Sequence, residues 1–464
     1  MPHSSKSGRT WLIPLFVLLL IGMLLCVGPV VWWAWRRSNA FETLQQRRAA
    51  LVDRGQPIDD ASLEAYRESL MGKEKSQRWM AVLERIGSET YQQAAADVPV
   101  VGMVESEQPF IPGKPYPHDR QTRDFLEQWT DLRDAIHAVT EGSESIWTDI
   151  ELDSFNTLLP YVQASRSAAR LISLEFDDAI RRDAPDEAYG SLRSLIGIAR
   201  SVEDEPLIIS QLVHIALTQI ALDKVKVAVE REWLSSEQLK TLLEELRAFD
   251  DFGRNYQLAI SGERAMSQPV FDDLGRFGEQ GVEIPKGFNQ RPIDAIVSLD
   301  VLARAESIEN DNLTAFLTNV VAVEQDFNEQ MEQAGWLYQF DTMLTGLLTP
   351  AIGAFGRAVV RHAMSVRLAK LGIAARLFSQ QHQRLPSDVN ELTNTYDLGP
   401  VEPVGDRPFG YQRRDQMAEL WGFDPQTPSD RTPTAPEAAT DETGYEAFWL
   451  WTITADRTAE KGID

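Results

Sequence analysis

The sequence predicts a mainly α-helical protein: an N-terminal transmembrane helix, an irregular multi-helix bundle and a small α+β module at the C-terminus. Three observations carry this reading. The run from Trp11 to Trp35 holds no charged residue. From Arg123 to Asp251 apolar residues recur at helical spacing. Near the end, Phe448-Trp449-Leu450-Trp451-Thr452-Ile453 changes period and suits a strand with aromatic residues on one face.

The first element is the anchor. At roughly 1.5 Å per residue, a helix over 11–35 crosses a hydrocarbon core of about 30 Å. Lipid offers an unpaired amide no partner, so a helix is the way across. Trp11 at one end and Trp32, Trp33 and Trp35 at the other fit interfacial anchors, with Arg36 and Arg37 closing the segment. The apolar part exceeds the roughly 7–15 residues of a signal-peptide core. Two arginines also separate it from the cleavage-like triplet Ser38-Asn39-Ala40, which favours a retained anchor. Residues 1–10 are then a short tail, and the lipid bilayer is the partner of 11–35. Lys6 and Arg9 precede the segment while Arg36, Arg37, Arg47 and Arg48 follow it, a count that alone points the body inward. Long domains, however, translocate with little regard to charge.

Composition bounds the remainder. A chain of 464 residues leaves room, beyond the anchor, for two or three core-bearing units. The single cysteine, Cys26, lies inside the apolar run, which excludes an intrachain disulfide and a thiolate zinc site in the body. A formal net charge of −25 repels phosphate backbones, so no nucleic-acid partner is expected.

A helical domain is expected over 41–380. Phe41 to Val52 reads as a juxtamembrane helix stopped by Arg54-Gly55-Gln56-Pro57. Asp59, Asp60 and Ser62 offer caps for a short helix ending near Leu70, and another helix follows from Trp79 to Ala95. Long loops are expected near 98–118, which carries five prolines and two glycines, and 268–292, rich in glycine, proline and acid. Leu207, Ile208, Leu212, Ile215, Ile220 and Leu222 build an almost wholly apolar helix, normally a buried one. Glu203-Asp204-Glu205, before Pro206, reads as its acidic first turn. Ser235 and Gln238 form a capping box for the next helix. The pattern suggests antiparallel helix pairs around a shared core. Met343 to Val360, interrupted by Pro350 and Arg357, reads as a buried or interface-hugging segment, with a second span or a hinge as alternatives. A core seam over Met364, Leu368, Leu371, Ala375 and Phe378 leads into the α+β tail, 381–464, with a flexible insertion at 427–444.

Local catalytic motifs are missing: no G-x-S-x-G, H-E-x-x-H, G-x-x-x-x-G-K-[ST] or G-x-G-x-x-G. The six histidines never fall at i, i+3 or i+4. His214, on the most apolar helix, reads as a structural imidazole, with a ligand or base as the sharper alternative. Acid clusters at Glu175, Asp177 and Asp178, at 203–205, and at Asp250-Asp251 suit helix surfaces. Glu263 and Arg264 read as an ion pair fixing a loop exit, or else as a ligand-gripping pair. No catalytic, cofactor-binding or metal residue is assigned; His214, Glu263 and Arg264 are the candidate interaction positions, and no cofactor is expected.

Three segments together carry a resemblance. R-G-Q-P-I-D-D-A-S-L at 54–63 and E-D-E-P-L-I-I-S-Q-L-V-H-I-A at 203–216, with G-E-R at 262–264, are similar to segments of single-pass bacterial proteins without an established activity. A-A-R-L-F-S-Q-Q-H-Q-R-L-P-S-D-V-N-E-L at 374–392, followed by G-D-R-P-F-G-Y at 405–411, resembles the C-terminal part of general secretion pathway pseudopilins. The resemblance implies an anchored, helical, extracytoplasmic protein. The chain departs from true pseudopilins in lacking the acidic residue of their anchor, and Gly405-Asp406-Arg407-Pro408 keeps one carboxylate of their calcium loop. The function expected is non-enzymatic cell-envelope interaction or assembly with a possible envelope protein partner; the alternative is an anchored hydrolase whose carboxylates meet only in the fold.

Overall fold

A computed structural model describes residues 12–73, 76–102, 116–142, 144–277, 289–309, 312–402, 404, 409–422 and 448–455. Trp11, the tail 1–10, most of the 98–118 connection, the 405–408 segment and the insertion 427–444 lie outside the described residues.

Helix α1 runs unbroken over Leu12–Val52, merging the anchor with the juxtamembrane helix that the sequence separated. Nothing between Arg36 and Phe41 breaks a helix, and Ala40, Leu44 and Arg48, one turn apart, are all buried against the body. The stop falls where expected. Gly55 adopts φ +70°, and the Gln56 N–H returns to the Leu51 carbonyl at 3.0 Å.

Helix α2, Asp60–Leu70, opens with a reciprocal cap between Asp59 and Ser62. The predicted helix 79–95 divides into α3, Ser76–Gly87, and α4, Glu89–Ala95, because the Ser88 hydroxyl accepts from Tyr91 N–H and starts a second helix. Then come α5 (Asp119–Gln128), α6 (Thr130–Thr140), α7 (Pro160–Arg181), α8 (Pro185–Arg200), α9 (Ile208–Glu230) and α10 (Ser236–Arg247), the last with the Ser235/Gln238 capping box. Next are α11 (Phe252–Asp272), α12 (Pro292–Glu306), α13 (Leu313–Gln333), α14 (Trp336–Asp341), α15 (Met343–His382) and α16 (Val389–Thr395). Strands β1 (Gly410–Arg414), β2 (Met417–Gly422) and β3 (Phe448–Thr454) form an antiparallel sheet in that order. Leu420 faces Trp451 across β2 and β3.

One expected loop boundary shifts, and the proline of the 343–360 run does not break its helix. The loop placed at 268–292 does not begin at 268: α11 continues through Pro269 to Asp272. Arg48 fastens this last turn, bonding the Gln268 side chain and carbonyl and Asp272 Oδ2, the last at 2.8 Å. Likewise α15 passes straight through Pro350. The proline forfeits one helical hydrogen bond, but Ile352, Phe355, Val359 and Val360 bury on neighbouring helices, and Arg357 pairs with Glu324 of α13 at 2.9 Å. Helix α15 is long and apolar enough to cross a membrane, yet half of its most apolar window lies inside the body. It packs on α9, α10, α13, β2 and β3, so it is the core helix of the protein. Gly372 permits this, since a Cβ there would enter the ring of buried Trp451.

The N-terminal connection and the central helices meet at a polar junction. Arg67 of α2 donates to both oxygens of Glu205, at 2.6 and 2.9 Å, and to the Thr148 carbonyl at 3.0 Å. Both side chains are buried. Glu205 therefore lies in the turn before α9, and the acidic triplet is not that helix's first turn. The turn is shaped for a partner: Gly262 of α11 touches the Pro206 carbonyl, where any Cβ would collide. Removing one member of a buried ion pair costs about 3–5 kcal/mol, because the other charge stays buried and alone. Arg67 keeps Glu64 at 2.6 Å, so urea unfolding of Glu205→Ala should show a loss nearer about 3 kcal/mol, the lower end of that range. Arg120→Ala, which removes an exposed partner of Asp124, should stay within about 0.5 kcal/mol of the parent.

Candidate functional site

A cleft of about 500 Å³ opens between α6, α7, α8 and α10. Its floor is a directional polar chain. Glu175 of α7 accepts from Arg133 Nη1 of α6, from Ser191 Oγ at 3.3 Å and from His137 Nε2 at 2.8 Å. The other ring nitrogen, His137 Nδ1, lies 2.6 Å from Ser194 Oγ of α8, which is itself 2.9 Å from Thr140 Oγ1. Burial would raise the Glu175 carboxyl, but hydrogen bonds and charge from His137 and Arg133 outweigh it and hold the group below its usual range. An ionised Glu175 favours a proton on Nε2 and leaves Nδ1 to accept from the Ser194 hydroxyl. Hydroxyl, imidazole and carboxylate thus stand in line at one concave surface. Ion pairs rim it: Arg193 with Glu245 at 2.9 Å, and Arg182 with Glu187 at 2.6 Å.

No local motif marks this constellation in the sequence, where Glu175 stands in an acidic cluster with Asp177 and Asp178. The available signal was spacing. Arg133 and His137 stand one turn apart, and so do Ser191 and Ser194.

The three candidate positions do not converge on the cleft. His214 donates from Nδ1 to the Ala199 carbonyl at 2.9 Å, and its Nε2 is buried without a partner among the described residues. Its ring centroid is 5.5 Å from that of His362 on α15. Burial lowers His214 to about 4 and, with the neighbouring imidazole, His362 to about 3, so both are neutral at pH 7. Among the described residues no group of three or more His, Cys, Asp or Glu could hold a metal ion.

Glu263 and Arg264 do not pair, because successive helical residues point apart. Arg264 is buried and reaches Glu306 of α12, the Gln56 side chain and the Pro57 carbonyl, the last at 3.3 Å. It fixes the exit of α1 rather than a loop. No hydrogen bond or ion pair among the described residues engages Glu263, and burial pushes its carboxyl up to about 7.

A second surface lies where α1 leaves the body. Trp32, Trp33 and Trp35 are exposed, and the guanidinium groups of Arg36 and Arg37 sit over the Trp32 and Trp33 rings at 5.4 and 5.2 Å. Arg36 bonds Asp341, at the end of α14, at 2.8 Å.

No family model matches this sequence, and no curated protein or solved structure matches it either.

Because Glu263 titrates near 7 in the fold against a usual 4.5, its protonated form favours folding. That contribution is complete below about pH 4.5 and is lost as pH rises through 7. Glu263→Gln should therefore raise the Tm relative to the parent at about pH 8, with the gap closing near pH 5, in thermal scans of the two proteins side by side.

Proposed function

We propose that the chain is a single-pass membrane protein that holds a helical body at the extracytoplasmic surface for cell-envelope interaction or assembly. One observation carries the anchoring: the uninterrupted course of α1. The helix buries Ala40, Leu44 and Arg48 in the body and, toward its N-terminus, leaves three tryptophans uncovered beside two arginines. Three adjacent exposed indoles are unfavourable in water and suited to the headgroup region of a bilayer. The apolar run that precedes them is long enough to continue across it. The side of the membrane and the envelope role rest on the resemblance to single-pass bacterial proteins and to pseudopilin tails. Alkaline phosphatase fused after Asp464 should be active in a bacterial host, while a fluorescent protein that matures only in the cytoplasm should stay dark at the same position. The reverse pattern would overturn the orientation, and release of the parent by alkaline carbonate would overturn the anchor.

The Ser194–His137–Glu175 chain favours a second reading, an anchored hydrolase of carboxylic esters. In that chemistry Ser194 Oγ bonds the acyl carbon as its proton passes to His137 Nδ1. The alkoxide leaves with that proton, and water then cleaves the acyl-serine with His137 as base. A fluorophosphonate probe should label the full-length protein in detergent and lose that labelling in Ser194→Ala. Equal labelling of both, or of neither, would remove the reading.

A further inference from the structure

The surface beside α1 extends onto a second element. Trp336 and Phe340 stand one turn apart on α14, and Met343 and Leu347 one turn apart at the start of α15, with Thr342 between the two helices. Trp336 is 77% exposed, Phe340 47% and Met343 48%, while Leu344 and Thr345 between them are buried. Four large apolar side chains exposed within residues 336–347 form a patch rather than a scatter.

The helix directions say what level this patch occupies. Asp294, near the start of α12, accepts from Leu344 N–H and Thr345 N–H at 3.0 Å each, so it caps the N-terminus of α15 from a neighbouring helix. Leu44 of α1 packs with Ala295, Leu299 and Leu344, and farther on Arg47 bonds Asp300. Helices α1 and α12 therefore run in the same direction, away from the tryptophan collar, and α15 begins at the same end. The ion pair of Arg36 with Asp341 places the end of α14 within a turn of Trp32, Trp33 and Trp35. Arg291 completes the ring, bonding the Phe340 carbonyl with its guanidinium 4.7 Å from the Phe340 ring centre. Arg36, Arg37 and Arg291 thus gather beside the aromatic residues on a chain whose net charge is −25. Aromatic residues flanked by arginine at one level are the chemistry of a bilayer interface.

We infer that α14 and the first turn of α15 form a second membrane-contacting element, which seats Trp336, Phe340 and Met343 among lipid headgroups and upper acyl chains beside α1. This rests on the anchoring of α1 and goes beyond it: the body lies against the bilayer instead of standing off on a stalk. Leu347, one turn farther along α15, marks the outer limit of the contact.

The test uses the full chain in vesicles of phosphatidylcholine and phosphatidylglycerol, with nitroxide attached to the upper acyl chain of some lipids. An environment-sensitive fluorophore is placed on one cysteine at a time: native Cys26, or, in a Cys26→Ala background, Phe340→Cys, Met343→Cys or Asn390→Cys. Asn390 is exposed on α16, beyond the far end of the 40-residue α15. Labels at 26, 340 and 343 should lose about half or more of their emission to the nitroxide, while the label at 390 keeps its own. Quenching at 26 with 340 and 343 as bright as 390 would overturn the second contact and leave the anchor standing. No quenching at 26 would remove the anchor and this inference with it. The exposed positions alter no core contact, and circular dichroism of each labelled protein checks the fold.

Discussion

Arg67 and Glu205 sit out of water and pair there, with Glu64 as a second carboxylate on Arg67 at 2.6 Å. Their bidentate pair joins α2, the Thr148 segment and the turn before α9. A few residues away, Arg264 performs the same office for the stop of α1, binding Gln56, Pro57 and Glu306. Gly262 then lets α11 lie against the Pro206 carbonyl. One stretch of backbone around 205–206 is thus held from two sides, by α2 and by α11. If the carboxylate of Glu205 is lost, Arg67 keeps only the half-buried Glu64 as an ionic partner and loses its link to the turn before α9. The interaction is therefore a constraint on geometry more than a source of net stability.

The second constraint acts along α1. A helix that enters the body without a break transmits its direction, so the body cannot pivot freely about residues 36–41. Arg36, Arg47 and Arg48 grip Asp341, Asp300 and Asp272 in turn, each on a different element. These arginines, which a topology count reads as charges following an anchor, are engaged as structural partners. Their value as a topology signal falls accordingly.

Much of the fold was legible because it is written locally. The Asp59 and Ser235 caps, the Gly55 stop, the apolar α9 and the final strand each declare themselves within a few residues. What was misread depends on distant partners. Pro269 and Pro350 look like breakers until Arg48 and α13 are in place, since burial of a helical face outweighs one missing hydrogen bond. Ser88 looks like an interior residue until its hydroxyl caps α4. The 203–205 acids look like a solvated helix start until Arg67 arrives from more than a hundred residues away. The cleft was the least legible of all. Arg133, His137, Glu175 and Ser194 come from three helices, and no window of sequence contains them together. Of the candidate positions, Arg264 proved to be a clamp, His214 a buried neutral ring and Glu263 a carboxyl without a cation.

On the proposed reading, the membrane segment and the first helix of the body are one continuous helix, α1. Hydrogen exchange of the full-length protein in lipid nanodiscs reads this continuity on peptides covering 33–44. Slow exchange continuing from Trp33 through Leu44, with no faster segment between, is what a single gripped helix requires. Rapid exchange confined to 36–41 would reveal a hinge and would rule out a body held against the bilayer through α1.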